Sequence, residues 1–180
     1  VPYGTITTVS ESHLTPGLLY VGTDDGHVHV TRNDGDAWTK INTGLPDKWV
    51  SRVVASRHDE ATVYVSFTGY REDDFSTYLY KSADYGATWA SIVGNLPAES
   101  VNVIREDPRA VDILYVGTDL GVYVSTDGGA SWHSLCNHLP TTPAHDLAVH
   151  PRENELIVGT HGRSIFVLDV KEIQDLRKQE

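Results

Sequence analysis

Through most of the chain apolar and polar positions alternate with a period of two. Val28 and Val30 alternate with His27, His29 and Thr31, and Val122 and Val124 alternate with Tyr123 and Ser125. Short alternating runs of β-branched and aromatic residues, bounded by Gly, Asp and Pro, predict strands rather than helices. Within residues 98–140 four such runs follow one another, at 101–106, 113–117, 121–125 and 131–137. The last part of the chain carries three, at 145–150, 155–159 and 164–170, and then a charged stretch, 171–180, which reads as a polar tail compatible with helix.

Three octapeptides share one frame. They are Thr31-Arg32-Asn33-Asp34-Gly35-Asp36-Ala37-Trp38, Ser82-Ala83-Asp84-Tyr85-Gly86-Ala87-Thr88-Trp89 and Ser125-Thr126-Asp127-Gly128-Gly129-Ala130-Ser131-Trp132. Their tryptophans are 51 and then 43 residues apart, and Leu45-Pro46, Leu96-Pro97 and Leu139-Pro140 keep the same spacing. A third marker lies upstream: Leu19-Tyr20-Val21-Gly22-Thr23 returns as Leu114-Tyr115-Val116-Gly117-Thr118 and Leu156-Ile157-Val158-Gly159-Thr160, with Val63-Tyr64-Val65-Ser66 as the second copy. Three markers in constant order define a structural repeat. Four short strands per unit of this length predict an all-β fold, a β-propeller of about four four-stranded blades with approximate limits 1–46, 47–97, 98–140 and 141–170.

The octapeptide lies between the third and fourth strands of its unit and must turn the chain. Gly35, Gly86 and Gly129 suit a position with positive φ. The side chains of Asn33, Asp84 and Asp127 can accept backbone N–H groups inside the turn. Trp38, Trp89 and Trp132 are then expected to pack between adjacent blades. These residues resemble the Asp-box (BNR) repeat of sialidases, xyloglucan-degrading propellers, sortilin-type receptors and photosystem II assembly factors. More narrowly, residues 20–26, Val50-Ser51-Arg52 and residues 159–164 resemble the C-terminal part of bacterial Asp-box proteins described as sortilin-like or glycosyl-hydrolase-like. The resemblance implies that the boxes are structural and that ligands bind on the opposite face.

No box, Trp or fourth strand is evident after residue 141, so the chain is expected to be a segment of a larger ring, completed by the remainder of a propeller or by a second copy. The loops opposite the boxes supply the candidate ligand residues: Asp25, Trp49, Tyr70, Arg71, Phe75, Asp119, His161 and Arg163. The second unit carries an eight-residue insertion, assigned to a loop at 67–77. Asp24, Asp25 and Asp119 are weighed as a calcium site, although Asp in tight turns is common without an ion. His27 and His29 lack a third ligand in view, and His133, Cys136 and His138 lack zinc spacing, so no metal is assigned.

A net charge of −11 argues against nucleic acid and anionic membrane surfaces. No run is long enough to span a bilayer, and no signal peptide is visible. The single cysteine, Cys136, excludes an internal disulfide and is expected as a small buried hydrophobe. The reading that follows is a non-catalytic scaffold binding protein or glycan, without a cofactor. Location outside the cytoplasm, secreted or periplasmic, is implied by the resemblance. The alternative is a fragment of a glycoside hydrolase, sialidase-like or xyloglucanase-like, with Asp146 and Asp24 as the acids to test. A docking factor of the photosystem II type ranks last, because its basic patch does not suit an acidic chain.

Overall fold

A computed structural model describes residues 3–135 and 139–176. Four antiparallel sheets follow one another along the chain, each in simple up-and-down order. The first holds β1 (Ile6–Glu11), β2 (Leu19–Thr23), β3 (Val28–Thr31) and β4 (Thr39–Lys40). The second holds β5 (Trp49–Ala55), β6 (Val63–Gly69), β7 (Asp74–Ser82) and β8 (Ala90–Ser91). The third holds β9 (Val101–Glu106), β10 (Leu114–Thr118), β11 (Val122–Ser125) and β12 (His133–Ser134). The fourth has three strands, β13 (Ala144–Val149), β14 (Glu155–Thr160) and β15 (Ile165–Asp169), followed by helix α1 (Lys171–Leu176). Consecutive four-stranded meanders packed face to face are the blades of a β-propeller. The fourth strands are shorter than their polar–apolar pattern suggests, and residues 136–138 lie outside the described residues, including Cys136 and His138.

The apolar core lies between the blades. Tyr20, Val28, Val30 and Ile41 of the first blade meet Val50, Val53, Val65 and Phe67 of the second. The second and third blades share Tyr64, Leu79, Ile104, Leu114 and Trp132, and the third and fourth share Val103, Tyr115, Leu147, Leu156 and Val158. The blades approach closely at the recurring small residue of the second strand. A Cβ on Gly22 would stand 2.3 Å from Val50 Cγ1, and one on Gly117 would stand 2.8 Å from the Ala144 carbonyl.

Each octapeptide builds the same hairpin. The Ser82 hydroxyl donates to Asp84 and receives the amide of Gly86, while Asp84 Oδ1 receives the amide of Thr88 at 2.8 Å. Asp127 does the same for Ser131, and the Asn33 amide oxygen does so for Ala37. The three turn glycines sit at φ of 96°, 88° and 97°, which a side chain would strain. The indole N–H of Trp89 donates to the Ile41 carbonyl and that of Trp132 to the Ile92 carbonyl, tying each hairpin to the blade before it. Trp38 departs from the expected inter-blade packing: it is 44% exposed, because no blade stands on its side.

The same position ends every inner strand. Ser12, Ser56, Asp107 and His150 each accept two backbone amides two and three residues ahead, through Oγ, Oγ, Oδ1 and Nδ1 respectively. Three chemically different side chains thus cap one turn geometry.

One further expectation needs correction. The insertion of the second unit is not a loop over 67–77: β6 runs to Gly69, a single 3-10 turn covers Tyr70–Glu72, and β7 begins at Asp74. The extra residues lengthen a hairpin, and Phe67 is fully buried in the core. Lys48 braces this arm through Glu72 at 2.5 Å and Asp74 at 3.2 Å, and Tyr78 donates to Asp74. The stretch after residue 170 opens with a helix, Lys171–Leu176, as its composition allowed. Its helix packs Ile173 on the core of the last two blades, and buried Gln174 donates to Asp107 Oδ2 at 2.7 Å.

Candidate functional site

The box hairpins and the turns between first and second strands share one face. Asp34, Tyr85 and Gly128 donate their amides to Gly17, Ala61 and Asp112 in those turns. The loops between second and third strands therefore lie on the other face, around the entrance to the axis.

A bulge at the start of each inner strand shapes that entrance. Pairing between first and second strands skips Thr7, Ser51, Asn102 and His145 in the four blades. A bulge leaves one residue out of the ladder and re-aims its side chain. Thr7 and Ser51 use this freedom to bond the next blade, donating to the carbonyls of Val50 at 2.8 Å and Val101 at 2.7 Å. Asn102 instead donates to Asp119 Oδ1 at 3.0 Å, and the His145 ring lies 5.0 Å from that of His161.

Ser51, Asn102 and His145 line a cavity of about 630 Å³, together with Trp49, Arg52, Tyr70, Arg71, Asp119 and His161. The guanidinium of Arg71 stacks on the Trp49 ring at 3.7 Å. The lengthened hairpin of the second blade carries Tyr70 and Arg71 to this place, which explains why an arm rather than a loose loop occupies the insertion. Below the cavity, Arg52 and Arg105 both donate to Asp146 Oδ1, at 3.1 and 2.8 Å. Burial, followed by the charge of Arg52, pulls the Arg105 pKa below its usual value, and Asp146 partly opposes this.

The candidate residues read from sequence are distributed unevenly. Trp49, Tyr70, Arg71, Asp119 and His161 come together in the cavity. Phe75 packs edge-on against Tyr70 at 6.1 Å, outside the lining. Asp24 is buried in the first blade, where its carboxylate receives the amides of Tyr3 and Thr5. Desolvation is the largest single effect and raises its pKa, but the hydrogen bonds from Tyr3, Gly4 and Thr5 together outweigh it and leave the pKa lowered. Asp25 receives the Thr23 hydroxyl and faces His27 at 3.4 Å. Arg163 lies on the exposed turn after β14. Asp146 is held by two guanidiniums. Among the described residues no three His, Cys, Asp or Glu side chains gather closely enough to hold a metal, so Asp24, Asp25 and Asp119 do not form a calcium cage.

Arg52, Asn102 and His145 also line this cavity and were not among the candidates read from sequence. For Asn102 and His145 the signal was a polar residue repeating in phase with the boxes, one place after Val101 and Ala144 as Ser51 follows Val50; Arg52 carries no such signal, because Val103 stands in phase with it.

Solved structures with this fold include a GH74 xyloglucanase from Xanthomonas campestris, at 16% identity and TM-score 0.73, matched over 93% of this chain and 29% of that one. A structure of YCF48 bound to D1 peptide matches at 15% identity and TM-score 0.60, over 93% of this chain and 56% of that one. The computationally designed Ika4 protein matches at 12% identity and TM-score 0.63, over 92% of this chain and 91% of that one. The chain thus spans less than a third of the length of the GH74 structures it resembles. These likenesses establish a β-propeller. No known family profile matches the sequence, and neither does any curated protein.

Proposed function

We propose that the chain is a binding scaffold that recognises a protein or glycan ligand through the face opposite the box hairpins. The observation that carries this reading is the cavity itself. It presents a stacked Trp49–Arg71 pair, Tyr70, two adjacent imidazoles and the Asn102–Asp119 pair on a braced framework. Pockets of this kind combine ring faces with a few placed polar groups. The glycoside hydrolase reading needs two carboxylates facing one bond. Among the described residues the cavity lining holds one, Asp119, and Asp146 is engaged by two arginines. A second acid would have to come from outside the described arc. Membership of the Asp-box group and a secreted or periplasmic location belong to the same proposal; among the described residues no helix is long and apolar enough to cross a membrane.

The arc is also proposed to meet further blades, from the remainder of a propeller or a second copy. Its two end faces carry Ile6, Val9 and Trp38 on one side and Ile165 and Val167 on the other, between 44% and 68% exposed. Screening the chain and its Trp49→Ala variant against glycan and peptide libraries tests the binding role. Binding lost in the variant supports it, and turnover of a glycan by the chain alone overturns it.

A further inference from the structure

The tip of the lengthened hairpin stands outside every core cluster, yet it is held from several sides. Lys48 bridges Glu72 and Asp74, and Asp74 also receives the Ser76 amide at 3.0 Å and the Tyr78 hydroxyl at 2.7 Å. The Thr77 hydroxyl donates to the Pro97 carbonyl at 2.6 Å. This bracing presents a pair of rings to water: Tyr70 and Phe75, 62% and 50% exposed, meet edge-on at 6.1 Å. Single exposed apolar side chains are ordinary, whereas aromatic rings gathered on a fixed frame are the anchors of protein interfaces. Between them Asp73 ends the 3-10 turn at φ of 55°, a left-handed conformation that Asp and Asn tolerate better than most residues. Four carboxylates accompany two cations at the tip and its foot: Asp47, Glu72, Asp73 and Asp74 with Lys48 and Arg71. Both cations are engaged, Lys48 by Glu72 and Asp74, and Arg71 by the Trp49 ring on the cavity side. Among the described residues the exposed Asp73 carboxylate makes no ion pair.

Resting on the binding role proposed above, we infer that the Tyr70–Phe75 tip docks an arginine carried by an extended segment of a partner protein. Guanidinium is the side-chain group that both lies on a ring face and closes a two-point bond on a carboxylate. The two rings supply the first contact and Asp73 the second. The chain makes ring contacts of the same kind internally, Arg71 on Trp49 at 3.7 Å and Arg32 on Tyr85 at 4.1 Å. A net charge of −11 draws a basic partner and repels an acidic one. Sugar is the poorer occupant, because small ligands take hollows and the tip is a projection whose Asp73 and Phe75 lie outside the cavity lining.

The test is titration of the isotope-labelled chain, followed by amide NMR, with a capped Ser-Leu-Arg-Leu-Ser peptide. Two counterparts carry citrulline, which keeps the shape without the charge, or glutamate in place of the arginine. The arginine peptide is expected to shift the amides of residues 69–76 and to bind about tenfold more tightly than the citrulline form at low salt. Added salt should narrow that difference. Tyr70→Ala and Phe75→Ala are expected to weaken the arginine peptide at least about fivefold. Asp73→Asn, which keeps the left-handed backbone, should bring arginine close to citrulline, while Asp36→Asn on the box face should change nothing. Equal affinity for arginine and citrulline, or preference for glutamate, overturns the docking chemistry and leaves the binding role standing. Shifts centred on Asn102 and His145 instead of the arm overturn the location and again leave the role. A dimer by light scattering that Phe75→Ala returns to monomer replaces the partner with a second copy and overturns the inference. Absence of any shift overturns it too and, if the library screen is also blank, the role beneath it.

Discussion

The Tyr64 hydroxyl donates to Glu106 Oε1 across a blade boundary at 3.0 Å, and Glu106 also receives the Ser56 hydroxyl. Tyr20 is the same residue one repeat earlier, fully buried, and its hydroxyl has no partner. The residue matching Glu106 there is Ala55, which has no acceptor to offer. Burial pushes the Tyr20 pKa up to about 12, so the group is a neutral, unfilled donor. We expect Tyr20→Phe to leave stability unchanged or raise it by up to about 1 kcal/mol, and Tyr64→Phe to lower it by about 1–3 kcal/mol. Urea denaturation of the two variants checks the contrast; equal losses would contradict it.

The box carboxylates set an acid limb. The Thr88 hydroxyl and amide hold Asp84 down to about 2, and Ser131 does the same for Asp127, both from 3.8. A carboxylate with a depressed folded pKa contributes stability above its unfolded value, and the contribution is lost as pH falls through the folded value. The chain is therefore expected to lose stability from about pH 4 down to about pH 2. Asn33 fills the same role without a charge in the first box. The double variant Asp84→Asn, Asp127→Asn should flatten that limb in a pH series of thermal melts.

The three box tryptophans should separate in mutational cost. Trp132 is 3% exposed and bonded to Ile92, so Trp132→Ala is expected to cost about 3–5 kcal/mol. Trp38→Ala should cost the isolated arc little. Acrylamide should quench Trp38 most readily, which comparison of wild-type and Trp38→Phe emission would show.

Association should follow from the same faces. We expect the chain to self-associate on light scattering coupled to size exclusion, and Trp38→Lys or Val167→Lys to return it to monomer. A monomer at all concentrations would assign both faces to the remainder of a longer chain.

Glycine offers a finer probe of those faces. Gly22→Ala and Gly117→Ala should each cost about 1–3 kcal/mol, because the added carbon meets Val50 or the Ala144 carbonyl. At Gly159 the nearest atom is 3.5 Å away, so Gly159→Ala should be tolerated by the arc. It should become costly wherever another blade packs there.

The blade pattern was legible because it is repeated local chemistry. Strand alternation, the box turn and the Tyr-Val-Gly-Thr run each act within a few residues and recur in phase. The turn caps at Ser12, Ser56, Asp107 and His150 were not legible, since serine, aspartate and histidine do the same work there. The lengthened hairpin at 67–77 was hidden by charged residues, Arg71 to Asp74, that resemble a loop until Lys48 is seen to hold them. Trp49, Tyr70, Arg71, Asp119 and His161, singled out through loop position, line one cavity. Arg52, Asn102 and His145 sit inside a strand pattern and were absorbed by it. Docking of the terminal helix through Gln174 depends on a partner, Asp107, 67 residues away, which no local pattern reports.

The bulged place in each inner strand has a consequence for how such a ring changes its preferences. Its occupant takes no part in the ladder or the apolar core, so Thr7, Ser51, Asn102 and His145 differ while the backbone around them repeats. Three of the four, Ser51, Asn102 and His145, line the opening, but Ser51, like Thr7, is committed to a neighbouring carbonyl. New recognition can therefore be written by exchanging single side chains at Asn102 and His145, leaving the scaffold to read as before.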